Sequence, residues 1–347
     1  MKPNQADNQI EEEHLLNFVV NTLDEELPID LADGVKVSSE KLYEVLAGAS
    51  ASGTSVNHIC ETTEDSPHAN TVRGHLTDQF DLDTVEQVGD TLLQQDTIDT
   101  LPDRPVEVVA DLHLDPYYGD EDETEALYSA RAKRGPTTFH AYVPLYARVR
   151  NTRYTLAVRQ LVAGETSGDV LGEFLELLDG LDLGVKAVYL DRGFYNSTCL
   201  GLLYAYNYAY VIPVVKWGDT IKDELSSGWS RVIEHELAGK VTFPVYIDCV
   251  YQQGRYDEHG VARHGYAADA PFIETPRDAR EHYRKRFGVE SSYRLARKSL
   301  ALTSSRDAGL RLLLFVVSLL LQNVSICTGC TWRRPAAGGA ASWSGHS

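Results

Sequence analysis

The chain has 347 residues, 43% hydrophobic and 24% charged: long enough for two or three domains and too apolar for a wholly disordered chain. Its 51 acidic and 32 basic side chains give a formal charge of −19, and arginine outnumbers lysine 22 to 10. Five cysteines exclude a disulfide scaffold, and the single methionine excludes a Met-rich recognition surface.

The negative sum argues against a nucleic-acid partner only if the charge is evenly spread, and it is not. Residues 1–130 hold 30 acidic and 5 basic side chains, whereas residues 131–160 hold 7 basic and no acidic ones. Residues 161–275 hold 17 acidic and 8 basic, and residues 276–334 hold 4 acidic and 12 basic. Two cationic segments therefore sit in an anionic protein. The acidic excess, with arginine favoured over lysine, fits a protein of very salty cytoplasm, where salt screens the carboxylates from one another. An ordinary acidic cytosolic protein is the plainer reading.

The N-terminus, MKPNQADNQIEEEHLLNF, has no apolar core of a signal peptide. His14–Leu27 has helical apolar spacing. Ser39 offers a cap for a helix running to a turn at Gly53, Val56–Cys60 forms a second short helix, and Ser66-Pro67 caps a third with Pro at its first position. That order fits a helix-turn-helix in which His68, Asn70, Thr71, Arg73 and His75 face DNA bases; an ordinary helical bundle fits equally well.

From residue 104 the pattern turns to strands. Val106–Leu112 is apolar and β-branched, and Thr138–Arg150 and Tyr154–Val162 alternate about a turn at Asn151. Ser167–Leu181 reads as an amphipathic helix, Val185–Leu190 as a strand, Asn196–Tyr206 as a helix and Tyr210–Val215 as a strand. This order implies a mixed α/β sheet, its first three strands antiparallel and its later ones joined by crossover helices. Residues 217–273 read as β-rich, Pro276–Ala308 as a long helix and Leu310–Gln322 as another. The run Leu312–Leu321 is too short to span a bilayer and reads as a buried core helix. A cytoplasmic protein without a membrane partner is expected.

Among so many acids, position selects the functional ones. Asp111 lies at the end of the first apolar strand and Asp191 directly follows Val185–Leu190, the place where ligands bind in open α/β sheets. Two carboxylates brought together there repel unless a divalent cation lies between them. Glu290 is the third candidate. At about 100° per residue, Tyr283, Arg286, Glu290, Arg294 and Arg297 share one helical face, and Lys298 falls off it. An acid flanked by arginines suits a site that binds metal and phosphate together. A solvated helix with a Glu290–Arg294 pair suits the same spacing.

Asp111, LDRGFYN around Asp191, and Tyr283-x2-Arg286-x3-Glu290 together resemble the D-D-E transposases of bacterial and archaeal insertion sequences, in the group with the Y-R-E-K signature. VADLHLDPYYGDED and ARHGYAADAPFIETPRDAREHYRKRFGVESSYR resemble its haloarchaeal members over residues 8–323. The signature's lysine position holds Arg297, with Lys298 one residue later.

The resemblance implies an RNase H-like mixed five-stranded sheet with flanking helices, a β-rich insertion at about residues 217–273 and an all-α N-terminal region. It divides the chain into a helical region (1–103) with a possible DNA-end-binding helix-turn-helix, a catalytic domain (104–323) and a low-complexity tail (324–347). Asp111, Asp191 and Glu290 would hold two Mg2+ ions, with Mn2+ as a substitute. Tyr283, Arg286, Arg294, Arg297, Lys298 and Arg192 would contact DNA.

The implied partners are the element's inverted-repeat ends, target DNA and a second copy of the chain. Tyr195 lies beside the expected site, Trp217, Trp229 and Tyr251 would stack on an unpaired base or belong to the core, and the basic strands Arg131–Arg159 would form a DNA-facing edge. From Ser325 the composition turns to Gly, Ala and Ser where the family continues with a basic aromatic helix, as a frameshifted end would. An inactive remnant that only binds DNA and a nuclease without strand transfer are the rival readings.

Overall fold

The computed structural model describes residues 5–32, 34–121, 124, 126–130, 135–252, 260–287 and 299–328. Five helices come first: α1 (Gln5–Glu26), α2 (Ser39–Ser52), α3 (Val56–Thr62), α4 (Ala69–Gln79) and α5 (Leu82–Thr100). Side chains cap them, Ser38 accepting from the Lys41 amide and Asp81 from that of Thr84. Gly53 ends α2 in the left-handed conformation that a glycine adopts without strain, φ 58°. The cap expected at Ser66-Pro67 lies elsewhere: His68 is the capping residue, its side chain accepting from Asn70, and Pro67 precedes the helix.

The strands then follow as β1 (Val106–Ala110), β2 (His113–Pro116), β3 (Tyr128–Ser129), β4 (Thr138–Val149) and β5 (Thr152–Leu161). After them come α6 (Ser167–Gly180), β6 (Val185–Leu190), α7 (Ser197–Ala205), β7 (Tyr210–Pro213) and α8 (Asp219–Glu224). The chain continues through β8 (Arg231–Leu237), β9 (Val241–Gln252), β10 (Gly260–Asp269), α9 (Pro276–Phe287) and α10 (Ala308–Cys327).

Five strands form the centre of one sheet in the order β5-β4-β1-β6-β7. β5, β4 and β1 are antiparallel neighbours, and β1, β6 and β7 are parallel. α6 and α7 make the crossovers, as short parallel connections require. The β-rich stretch after β7 extends this same sheet, because β10 pairs antiparallel with β7 and carries β9 and β8 beyond it. It also contains the helix α8, so it is not β structure throughout.

Large apolar side chains fill one face of the sheet, including Val108, Leu145 and Leu190, against Phe174 and Leu175 of α6. The other face is built from small residues and tyrosines, among them Val109, Ala187, Tyr189, Val211, Tyr266 and Tyr283, under α9. A third core joins α1, α2, α4 and α5 to α10 and meets the sheet at Tyr142 and Val158. α10 is long and apolar enough to cross a membrane by length and composition, but 78% of that stretch is buried inside the protein. Its Asn323, 2% exposed, accepts from Thr155 N at 2.9 Å and donates to the carbonyls of Thr155 and Leu93 and to the Thr97 hydroxyl.

Two boundaries differ from expectation in this part of the chain. Residues 300–306, expected to be helical, are irregular. Their Ser and Thr hydroxyls take backbone amides instead: Thr303 accepts from Ser305, and Ser305 from Asp307. α10 also runs four residues into the segment read as a tail, ending at Cys327.

Candidate active site

β1 and β2 are one strand with a gap. Ala110 faces Leu145 and His113 faces Tyr142 on β4, so the same register places Asp111 opposite Pro144. Proline has no amide hydrogen to give a ladder, and the regular strand breaks at Asp111–Leu112. The expected strand Val106–Leu112 therefore ends at Ala110, with Asp111 half-buried beyond it.

On the parallel neighbour, Leu190 is the partner of Ala110. Asp191 thus leaves the sheet beside Asp111, one strand spacing away, about 4.8 Å between backbones. The loop after Asp191 is braced on all sides. Asp191 accepts from the Gly193 amide at 2.6 Å, Ser167 Oγ donates to the Gly193 carbonyl at 2.9 Å, and Asn196 caps α7 through the Cys199 amide. A Cβ at position 193 would stand 3.0 Å from Asp191 Oδ1, so any larger residue presses on this carboxylate. The LDRGF motif is therefore a carboxylate held in place by its own turn.

The two aspartates stand in a cleft of about 680 Å³ whose walls come from four parts of the chain. Arg192 follows Asp191, Lys216 follows β7, Arg263, His264 and Tyr266 belong to β10, and Tyr283 and Arg284 belong to α9. Tyr283 is buried against Tyr266, ring centres 5.4 Å apart. His264 faces Asp248 across the β9–β10 ladder. Burial, and then Arg280, hold its imidazole below the ordinary value despite Asp248. Four fixed cations and two carboxylates give the cleft a positive excess within a protein of charge −19.

The sequence-derived set divides as follows. Asp111, Asp191, Arg192 and Tyr283 meet in the cleft. Arg286 lies in the last turn of α9, while Glu290, Arg294, Arg297 and Lys298 lie outside the described residues. Among the described residues no group of three His, Cys, Asp or Glu side chains gathers to hold a metal. Lys216, Arg263, His264 and Arg284 were not singled out from sequence. Arg284 stood in the basic run HYRKRF, but nothing local distinguishes Arg263 and His264 on an alternating strand.

Other expectations are corrected. Tyr195 is 3% exposed and packs edge-on against Phe243, so it is a core residue. Arg148 and Arg159 do not form a DNA-facing edge. Arg148 is buried against Glu107, and Arg159 against Asp90 and Glu173. Trp217, Trp229 and Tyr251 are 71%, 88% and 66% exposed, so all three stand on the surface. His113 lies parallel to Phe315 of α10, ring centres 6.0 Å apart.

A mixed five-stranded sheet with this order, and acids at the ends of its first strand and of the parallel strand beside it, is an RNase H-like fold. No family model and no curated protein matches the chain. Among solved structures it aligns with the piggyBac transposase in its synaptic complex with hairpin DNA, covering 91% of this chain and 72% of that one, with a TM-score of 0.53 and 11% identity. Ciona intestinalis endonuclease V, solved with a 24mer DNA containing an inosine followed by a ribo-adenosine, aligns over 58% of this chain and 95% of that one, with a TM-score of 0.23 and 12% identity. The likeness to the piggyBac transposase is one of fold.

Proposed function

We propose that this chain is a DNA transposase of an insertion sequence, of the D-D-E group with the Y-R-E-K signature and haloarchaeal in type. It cuts the phosphodiester at the inverted-repeat ends of its element and joins them to target DNA in the cytoplasm, working as a homodimer. The observation that carries this reading is the pair Asp111 and Asp191 on neighbouring parallel strand ends, in a cleft otherwise lined by Arg192, Lys216, Arg263 and Arg284.

The donor set suits magnesium: paired carboxylate oxygens with no thiolate among the lining residues, as a hard cation prefers. Asp111 and Asp191, with Glu290 as third acid, are the residues that would hold Mg2+ or Mn2+. Such ions, when bound, activate water or a DNA 3′-hydroxyl and offset charge on the leaving oxygen. The cationic walls hold the phosphate backbone across the acids. Arg284 and Tyr283 bring α9 to the same cleft. Gly193 and Ser167 fix the turn that aims Asp191. Because the acids serve any attacking oxygen, one site performs both hydrolysis and strand transfer without a covalent enzyme intermediate.

The test supplies element-end DNA and Mg2+ to the wild type and to Asp111→Asn, Asp191→Asn and Glu290→Gln. Each variant is expected to bind ends and lose cleavage. Normal cleavage by any one removes that residue from the site. A pre-cleaved end is expected to be joined to target DNA; cleavage without joining makes the protein a nuclease, and binding without either makes it an inactive remnant.

A further inference from the structure

Away from the cleft, on the sheet face that carries α9, three cations stand on aromatic rings. Arg153 lies over Tyr146 at 4.3 Å, Arg148 over Tyr189 at 5.8 Å and Lys186 over Phe272 at 4.4 Å. Strand register puts them in a row. Arg153 is the partner of Arg148 across β5 and β4, Arg148 of Glu107 across β4 and β1, and Glu107 of Ala187, beside Lys186, across β1 and β6.

Arg148 and Lys186 both pair with Glu107. Exposed Arg104, just before β1, and exposed Lys285, on α9, extend the row. Burial and then Arg148, Lys285 and Arg104 hold the Lys186 ammonium below its ordinary value, so these groups act on one another. Lys186 precedes Asp191 by five residues of extended chain, about 16 Å, so the row runs away from the two acids, while Lys285 adjoins the cleft wall at Arg284.

On a molecule of charge −19, cations gathered on one face suit a polyanionic partner. The rings beneath the cations hold them in a plane rather than letting them disperse. We infer that Arg104, Lys186 and Lys285, the partly or fully exposed cations of this row, form a second contact for duplex DNA, tracking a phosphate backbone outside the cleft while the acids act on another stretch. The inference rests on the reading of this chain as a DNA-joining enzyme, and a target duplex is the partner it fits.

The experiment compares the full-length wild type with the triple variant Arg104→Gln, Lys186→Gln, Lys285→Gln, whose altered side chains are exposed or partly exposed. Binding of a random-sequence duplex is followed by fluorescence anisotropy across a salt series. End cleavage and joining of a pre-cleaved end are measured alongside. Each phosphate contact contributes about 0.9 to the slope of log affinity against log salt, so the slope is expected to flatten by about 2 to 3. Joining is expected to fall about tenfold while cleavage at saturating end DNA is kept.

An unchanged slope with unchanged joining overturns this surface and leaves the proposed activity standing. A wild type that neither cleaves nor joins, and that Asp191→Asn leaves unaltered, overturns the activity, and the binding slope still decides the surface. A change in oligomeric state with an unchanged slope overturns it too, assigning the row to the acidic surface of a second copy.

Discussion

Replacing Asn323 by alanine removes a side chain of α10 that binds β5 and α5 at once. Its Oδ1 accepts from Thr155 N at 2.9 Å, and its Nδ2 donates to Thr155 O at 2.7 Å, Thr97 Oγ1 at 3.0 Å and Leu93 O at 3.1 Å. Thr155 sits where β5 slips against β4: Leu145 faces Ala157 and Tyr146 faces Thr155, so Leu156 is the extra residue of a bulge. A bulge leaves backbone groups unserved by the ladder, and here a side-chain amide serves them.

Each net hydrogen bond contributes about 1 kcal/mol, and a buried group left without a partner costs about 1–3 kcal/mol. Losing this set of bonds, in which two amide hydrogens are shared among three acceptors, at a residue 2% exposed is therefore expected to cost about 3–5 kcal/mol, beyond the usual effect of one substitution. Asn323→Asp keeps the acceptor for Thr155 N, loses the three donations and buries a charge, so its cost is expected to be no smaller. Urea unfolding at fixed salt measures both, through a lower midpoint at unchanged slope. A loss under about 1 kcal/mol for the alanine variant would refute the claim that Asn323 joins α10 to the sheet.

Four further outcomes follow from the same structure. His140 is 1% exposed with neither ring nitrogen partnered, and burial and then Arg311 lower its pKa to about 4. The folded state thus disfavours the proton that the unfolded chain accepts near pH 6.5; stability is full above 6.5 and falls by about 3 kcal/mol as pH drops towards 4, a loss that His140→Leu should abolish in unfolding curves taken across pH. Gly193→Ala is expected to displace the Asp191 carboxylate and cut end cleavage at least tenfold while circular dichroism and melting stay near wild type; normal cleavage would mean the turn yields without moving the acid.

Arg159→Met leaves Asp90 and Glu86 buried without their cation, a loss of about 3–5 kcal/mol. Burial pushes Glu86 up to about 7, so that loss should deepen as pH rises through 7 and Glu86 ionises; a flat pH dependence removes Glu86 from the cluster. Finally, the unfolding midpoint is expected to drop as salt falls below about 1 M, since the acidic excess is then unscreened; insensitivity to salt would speak against halophily.

The elements of the central sheet were legible because their apolar patterns are local. Val185–Leu190 matches its strand to the residue, α6 begins at the predicted Ser167, and the acids at the two strand ends needed only the ends of those patterns to be found. The third acid was read from helical spacing alone, and Glu290 lies outside the described residues.

What covers an apolar face is a matter of distant chain, and the pattern along one element is silent about it. Only the tertiary structure joined the β-rich stretch to β7 through β10, set α10 among the N-terminal helices, and brought Arg263 and His264 to the cleft from a strand some 70 residues beyond Asp191. It likewise decided which arginines are neutralised: Arg148 and Arg159 read as an open basic edge until Glu107, Asp90 and Glu173 were folded against them. Alternation and periodicity record which side of an element avoids water, whereas pairing, register and charge compensation depend on surfaces that meet only when the chain closes on itself.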